Sequence, residues 1–204
     1  MSLPLTLSVG MLLGARHALD ADHLVVVTAM LERERGLAGA LRTAALWGAG
    51  HSLTFLGVGF AIIALGLRVP SSFELAGELL VAVMLVGLGL LHVSSRASED
   101  KPKRERHAGI RPLAAGIVHG LAGSAGVALL ALTTIPAVHD AIFYLLAFGV
   151  GTVLGMGVTT ALLSFPLGLS RRASPAVRRG ITLTAGFSSI GVGLLLGGTA
   201  ITGG

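Results

Sequence analysis

Long apolar stretches, each about the length of a bilayer crossing, follow one another along the chain. A membrane-spanning helix needs roughly 20 mostly apolar residues, and six stretches meet this requirement. The predicted spans are 3–29, 37–67, 72–93, 112–135, 141–169 and 180–201. The pattern therefore predicts an all-α integral membrane protein with six transmembrane helices.

Composition supports this interpretation. Hydrophobic residues make up 53% of the chain and charged residues only 12%, whereas soluble domains carry about 25% charged residues. The net charge of +5 comes from basic residues in short loops, so it indicates membrane topology rather than binding to nucleic acid. The chain has no cysteine, which excludes thiolate ligation and disulfides. The first apolar segment lacks a basic start, so we expect a retained span rather than a cleaved signal peptide.

A charged linker, 95–111, separates two halves, 1–94 and 112–204, each with three predicted spans. The halves align in the same order, with 17–23 over 119–125, 47–51 over 148–152 and 87–91 over 191–195. An odd number of spans per half places the second copy in the opposite orientation. The sequence therefore predicts a 3+3 inverted repeat, an architecture in which transporters hold substrate near the midplane.

The basic residues predict the orientation. Thirteen of the fifteen lysine and arginine residues fall in loops on one side, while Arg68 lies on the other side and Arg16 within a span. By the positive-inside rule the basic side is cytoplasmic. We expect a multi-pass protein of the cytoplasmic membrane with both termini outside.

Five polar side chains interrupt the first apolar span within eight residues. They are Arg16, His17, Asp20, Asp22 and His23. A charge near the bilayer centre costs roughly 2.5–3.5 kcal/mol, so intramembrane charges face a protein interior or a wet cavity and mark a functional site. Imidazole and carboxylate together suit divalent first-row transition metals.

Helix geometry leaves the carboxylate ligand open. On a straight helix with about 100° per residue, His17, Asp20 and His23 share one face and Asp22 points away. Two alternatives would bring in Asp22: the helix unwinds here, or Asp22 orients a ligand histidine. On the straight helix Arg16 lies close to Asp20, and the two are expected to pair.

The pattern His17-x4-Asp22-His23 resembles the signature of the nickel/cobalt permease (NiCoT) family. Gly50-His51-Ser52 and the stretch from His119 to Ser124 add to the resemblance, and the latter also resembles membrane proteins of the urease-accessory or metal-transport type. The resemblance implies a secondary permease for Ni²⁺ and/or Co²⁺, with His17, Asp22, His23 and His51 as metal ligands.

A second group of residues is predicted near the site or its path. His119 is the repeat partner of His17, and Ser124 and Thr152 occupy the repeat positions of Asp22 and His51. Hydrogen bonding between helices is the alternative role for the two hydroxyl residues.

These features favour transport over catalysis. The chain lacks a Gly-x4-Gly-Lys-Ser/Thr phosphate loop, so we expect no ATP hydrolysis, no enzymatic activity and no cofactor beyond the transported ion. The expected partners are a divalent metal ion and the lipid bilayer; a homo-oligomer is left open. An inside-negative potential favours uptake of a cation. Efflux, and a non-transporting accessory role in the maturation of a metalloenzyme such as urease, are the alternatives.

Overall fold

The structure is a computed structural model, and it describes residues 2–31, 34, 36–66, 71–94, 110–121, 126, 129, 132, 134–170 and 174–203. These residues are helical or in turns and include no strand, in agreement with the predicted all-α class. The helices with both ends described are α1 (Leu3–His17), α2 (Ala21–Leu31), α3 (Gly36–Leu65), α4 (Ser71–Ser94), α5 (Ile110–Gly120), α6 (Val138–Ser170) and α7 (Pro175–Thr202).

The first predicted span, 3–29, is two helices rather than one. Helix α1 ends at His17, and α2 begins at Ala21 after a short turn. The backbone carbonyl of Asp20 accepts the amide of Leu24 at 3.1 Å, which places Asp20 at the start of α2, a position that aspartate favours. The unwound helix that the sequence left as an alternative is therefore the observed arrangement.

The second, third, fifth and sixth predicted spans correspond to helices whose ends are shifted by a few residues. Among the described residues, α3, α4, α6 and α7 are long and apolar enough to cross a membrane. Helix α5 covers the start of the fourth predicted span, and the rest of that span is described only in part. Of the predicted linker, 95–111, the structure describes only its last two residues, at the start of α5.

Polar side chains lie inside the helix bundle and large apolar side chains lie outside. Buried polar residues include histidines and threonines of several helices. By contrast, Leu12, Val83, Phe165 and Ile201 are each about 70% exposed, at 69%, 70%, 72% and 73%. Such an inside-out distribution suits a protein whose outer surface contacts lipid chains.

Helix pairs with matching contacts link the two halves of the chain. A Cβ atom built on Gly14 of α1 would overlap the backbone carbonyl of Phe148 in α6, and one built on Gly116 of α5 would overlap the carbonyl of Trp47 in α3. Small residues allow such close approach of helix backbones. Each short helix therefore packs on the long helix of the other half.

The last helix of each half repeats the correspondence. In the pair α4–α7, a Cβ on Gly89 would lie 2.6 Å from the carbonyl oxygen of Gly186, and a Cβ on Gly193 would lie 2.9 Å from that of Ala82. Gly89 and Gly193 are equivalent in the predicted alignment of the halves. The two halves thus make equivalent packing contacts at three helix pairs.

Candidate metal centre

Four helices bring one histidine each to a common point. His17 is the last residue of α1, His23 lies in the first turn of α2, His51 in the middle of α3 and His119 next to the end of α5. All four are buried, and His23 and His119 are fully so. The ring centroid of His23 lies 4.5 Å from that of His17, 5.1 Å from His51 and 4.4 Å from His119. His23 is therefore the centre of the cluster.

A carboxylate joins two of these histidines. Asp22 is 7% exposed, and its Oδ1 lies 3.3 Å from His23 Nδ1 while its Oδ2 lies 3.1 Å from His119 Nε2. The same two nitrogens, His23 Nδ1 and His119 Nε2, are 3.1 Å apart. The break between α1 and α2 makes this possible, because it turns Asp22 inward together with His23.

The spacing of these atoms matches a set of metal ligands. Imidazole nitrogens bind a first-row ion such as zinc at roughly 2.0–2.1 Å, so two ligands at a right angle lie about 3 Å apart. Asp22, His23 and His119 form one group whose ligand atoms all lie within 4.8 Å of one another. A cation between them would also neutralise the buried carboxylate, which is expensive to bury unpaired.

A second group shares His23. The ligand atoms of His17, His23 and His51 likewise lie within 4.8 Å of one another. Nε2 of His17, Nε2 of His23 and both ring nitrogens of His51 are buried without a hydrogen-bond partner among the described residues. An unsatisfied buried polar atom costs about 1–3 kcal/mol, and a bound cation would remove this cost.

Aromatic side chains close the cluster on two sides. The Trp47 ring lies 5.2 Å from His23 and 5.7 Å from His119, and the Phe148 ring lies 5.5 Å from His17. Both aromatic residues are almost fully buried. Phe148 was missed in the sequence as a neighbour of the site, although the predicted repeat aligns it with Trp47.

Asp20 and Arg16 depart from the expected arrangement. Asp20 Oδ2 lies 2.9 Å from His17 Nδ1, and the expected pair of Asp20 with Arg16 does not form although both residues are described. Arg16 is exposed, and the side chain of Asp20 is 41% exposed. The turn between α1 and α2 removes both from the helical spacing on which that pair depended. Asp20 instead fixes the ring of His17 from the rim of the cluster.

The remaining predicted residues separate into three cases. His119 lies inside the cluster itself. Thr152 is buried at the repeat position of His51. Its hydroxyl donates to the backbone carbonyl of Phe148 at 2.9 Å, so its hydrogen bond is made within its own helix. Ser124 lies outside the described residues.

Together the donors define the chemistry. The cluster offers four imidazoles and one carboxylate, and the chain has no cysteine that could add a thiolate. This set of ligands suits a borderline divalent ion of the first transition row rather than Mg²⁺ or Ca²⁺, which prefer oxygen ligands. The fold and this cluster define a class: a helical membrane protein with a buried histidine–carboxylate site able to hold a metal ion.

Comparison with known proteins gives the family. The chain is 32% identical over 180 residues to the urease accessory protein UreH of Bacillus sp. (strain TB-90), an alignment that covers 81% of this chain and 79% of the relative. The chain therefore belongs to the family of urease accessory protein UreH. No protein-family model matches the chain, and no solved structure matches it.

Two plant proteins are more distant relatives. The Arabidopsis thaliana chloroplast proteins FOR GROWTH AND FERTILITY 1 and 2 are each 25% identical to this chain, in alignments 207 and 203 residues long that cover 91% and 92% of this chain. The chain spans about half of these longer relatives, 56% and 54%.

Proposed function

We propose that this protein is a secondary transporter of the nickel/cobalt permease type that moves Ni²⁺ and/or Co²⁺ across the cytoplasmic membrane, most simply inward. The observation that carries the proposal is the buried cluster of His17, Asp22, His23, His51 and His119, in which several ring nitrogens have no protein partner among the described residues. We propose these five side chains as ligands of the transported ion, with Asp20 orienting His17 and Thr152 lining the region.

The position of the cluster supports transport. His17, Asp22 and His23 come from the first half of the chain and His119 from the second, so the site lies where the halves meet. The matching glycine contacts of the halves support the predicted inverted repeat. In transporters of that architecture the substrate site lies near the midplane, at broken helices of the repeat interface.

The membrane potential favours inward transport in the proposed topology. Six crossings with both termini outside place the arginine-rich loops in the cytoplasm. An inside-negative potential contributes about 2.3 kcal/mol per charge per 100 mV, and twice that for a dication. Uptake then needs no ATP hydrolysis, no enzymatic step and no resident cofactor.

The family name favours a second candidate. UreH is called a urease accessory protein, which would also fit a membrane protein that presents nickel to an enzyme without moving it across the bilayer. The burial of all four histidines favours transport over presentation, because presentation requires ligands that a soluble partner can reach.

Flux through purified protein tests the proposal. The protein is reconstituted in liposomes that contain a fluorescent Ni²⁺ indicator, and Ni²⁺ is added outside at an inside-negative potential. Transport predicts a fluorescence change that His23→Ala abolishes at equal protein density. Cells provide the directional test: higher Ni²⁺ accumulation than in empty controls indicates uptake, and lower accumulation indicates efflux. Binding without flux in liposomes would support the accessory role instead.

A further inference from the structure

The two aromatic neighbours of the cluster lie at different heights along the bundle. Helices α3 and α6 run antiparallel, because Gly48 of α3 lies beside Met156 of α6 while Gly59, further along α3, lies beside Leu145, further back along α6. On α3, Trp47 precedes the middle of the bundle and Phe55 follows it. Phe148 of α6 stacks on Phe55 with ring centroids 4.6 Å apart.

His51 lies between these two levels. It follows Trp47 by one helical turn and precedes Phe55 by another, so Trp47 and the Phe55–Phe148 stack are about 12 Å apart along the axis at 1.5 Å per residue. His23 and His119 contact the Trp47 ring and His17 contacts the Phe148 ring. The histidine cluster is therefore enclosed between the two aromatic levels.

The two aromatic residues hold equivalent positions in the two halves. Trp47 is four residues before His51 in α3, and Phe148 is four residues before Thr152 in α6. The backbone carbonyls of Trp47 and Phe148 receive the equivalent close contacts from Gly116 and Gly14. Because α3 and α6 are antiparallel, equivalent positions face opposite ends of the bundle.

From this symmetry we propose that Trp47 and Phe148 are the two barrier residues of the ion path. Trp47 separates the cluster from the membrane face where α3 begins, and Phe148 separates it from the face where α6 begins. The assignment rests on the proposed transport function: a carrier that exposes its site to one side at a time needs one barrier on each side.

Each barrier residue packs in a buried apolar cluster. Phe148 belongs to an apolar cluster with Phe55 and Tyr144. Trp47 belongs to a second apolar cluster, which includes Val26, Val27 and Met156. The indole N–H of Trp47 and the hydroxyl of Thr160 are buried with no hydrogen-bond partner among the described residues. Apolar packing rather than hydrogen bonding therefore holds Trp47 in place, as it holds Phe148.

Thiol labelling measures which face reaches the cluster. Because the chain has no cysteine, Thr152→Cys provides a single reporter at the height of His51, and His51→Cys provides a second reporter inside the cluster. Each is treated with a membrane-impermeant methanethiosulfonate reagent in right-side-out and inside-out vesicles. With both barriers intact, labelling should be slow from both faces.

Removing one barrier should open one face only. States that expose the site are normally populated at only about 0.1–10%. Trp47→Ala, added to a reporter variant, should make such states more common and raise the labelling rate from the face where α3 begins about tenfold or more. Phe148→Ala should have the same effect from the opposite face. Trp47→Phe, which installs the side chain of the equivalent position, should keep labelling slow. Detergent-solubilised variants are checked for a single size-exclusion peak.

The outcomes separate the barrier assignment from the transport proposal. Equal acceleration from both faces, or none with either reporter, would overturn the barrier assignment. Face-specific acceleration at the Thr152→Cys reporter, which leaves the proposed ligands intact, that Ni²⁺ does not slow would leave the barriers standing and count against a nickel site. Slowing of that labelling by Ni²⁺ would support both.

Discussion

The Nε2 atom of His119 lies 3.1 Å from the Nδ1 atom of His23, although 96 residues separate the two in sequence. Both nitrogens also lie within 3.3 Å of the Asp22 carboxylate. Two ring nitrogens this close cannot both direct a hydrogen at one another. Each ring can donate a hydrogen to the Asp22 carboxylate, or one divalent cation can bind all three groups and so connect the two halves of the chain.

Loss of His119 should weaken metal binding. His119→Ala removes one ligand and leaves Asp22 with a single histidine contact, so Ni²⁺ affinity should fall about 10–100-fold, the range seen when groups supporting a metal site are removed. Isothermal titration of the purified protein in detergent measures this. His139→Ala is the matched control, because His139 is a 73% exposed histidine paired with Asp140. Equal affinities for the two variants would exclude His119 as a ligand.

The two aspartates should behave differently. Asp22→Asn removes the buried negative charge between His23 and His119, so we expect loss of both Ni²⁺ binding and flux. Asp20→Asn alters a partly exposed group that only orients His17, so a smaller decrease is expected. Liposome flux at matched protein density compares them. A larger defect for Asp20→Asn would reverse the roles assigned to the two carboxylates.

The glycine contacts between halves should be sensitive to a single methyl group. Gly14→Ala and Gly116→Ala place a Cβ against the backbone of Phe148 and Trp47, and overpacking of this kind costs about 1–3 kcal/mol. Thermal unfolding in detergent should show a lower midpoint for both. Gly57→Ala is the control, since no described atom lies within 4 Å of a Cβ there. Unchanged midpoints for Gly14→Ala and Gly116→Ala would show that these helices pack less closely.

Acid should weaken nickel binding. Histidine binds a metal ion in its neutral form, so protons compete with Ni²⁺ for the four rings, and affinity should decrease as the pH falls from about 7.5 to about 5.5. Titrations across this range, with size-exclusion chromatography at each pH to verify the fold, provide the measurement. An affinity that is constant or rises on acidification would argue against histidine ligation.

Local sequence features were sufficient for much of the fold. Apolar segments of spanning length predicted α3, α4, α6 and α7, because a long apolar helix leaves a strong signal in a single chain. The break after His17 was left as one of two alternatives. The sequence shows that a straight helix would point Asp22 away from the two histidines, but it does not show whether the helix breaks to bring Asp22 back.

The candidate site needed information from distant parts of the chain. The motif grouped His17, Asp22 and His23, but the contact of His119 with Asp22 depends on the packing of α5 against α3. The expected pair of Arg16 with Asp20 was wrong for the same reason: it assumed helical spacing where the chain turns. Phe148 was missed because an apolar aromatic in an apolar helix carries no local signal.

The exchange of helix partners between halves has a consequence for biogenesis. The glycine face of α1 rests on α6, which the ribosome produces only after most of the chain has entered the membrane. Until then the polar turn after His17 has neither its opposing helix nor His119 beside it. Insertion of this protein is therefore completed late, and the nascent first half must be sheltered, by the insertion machinery or by water at the turn, until the second half arrives.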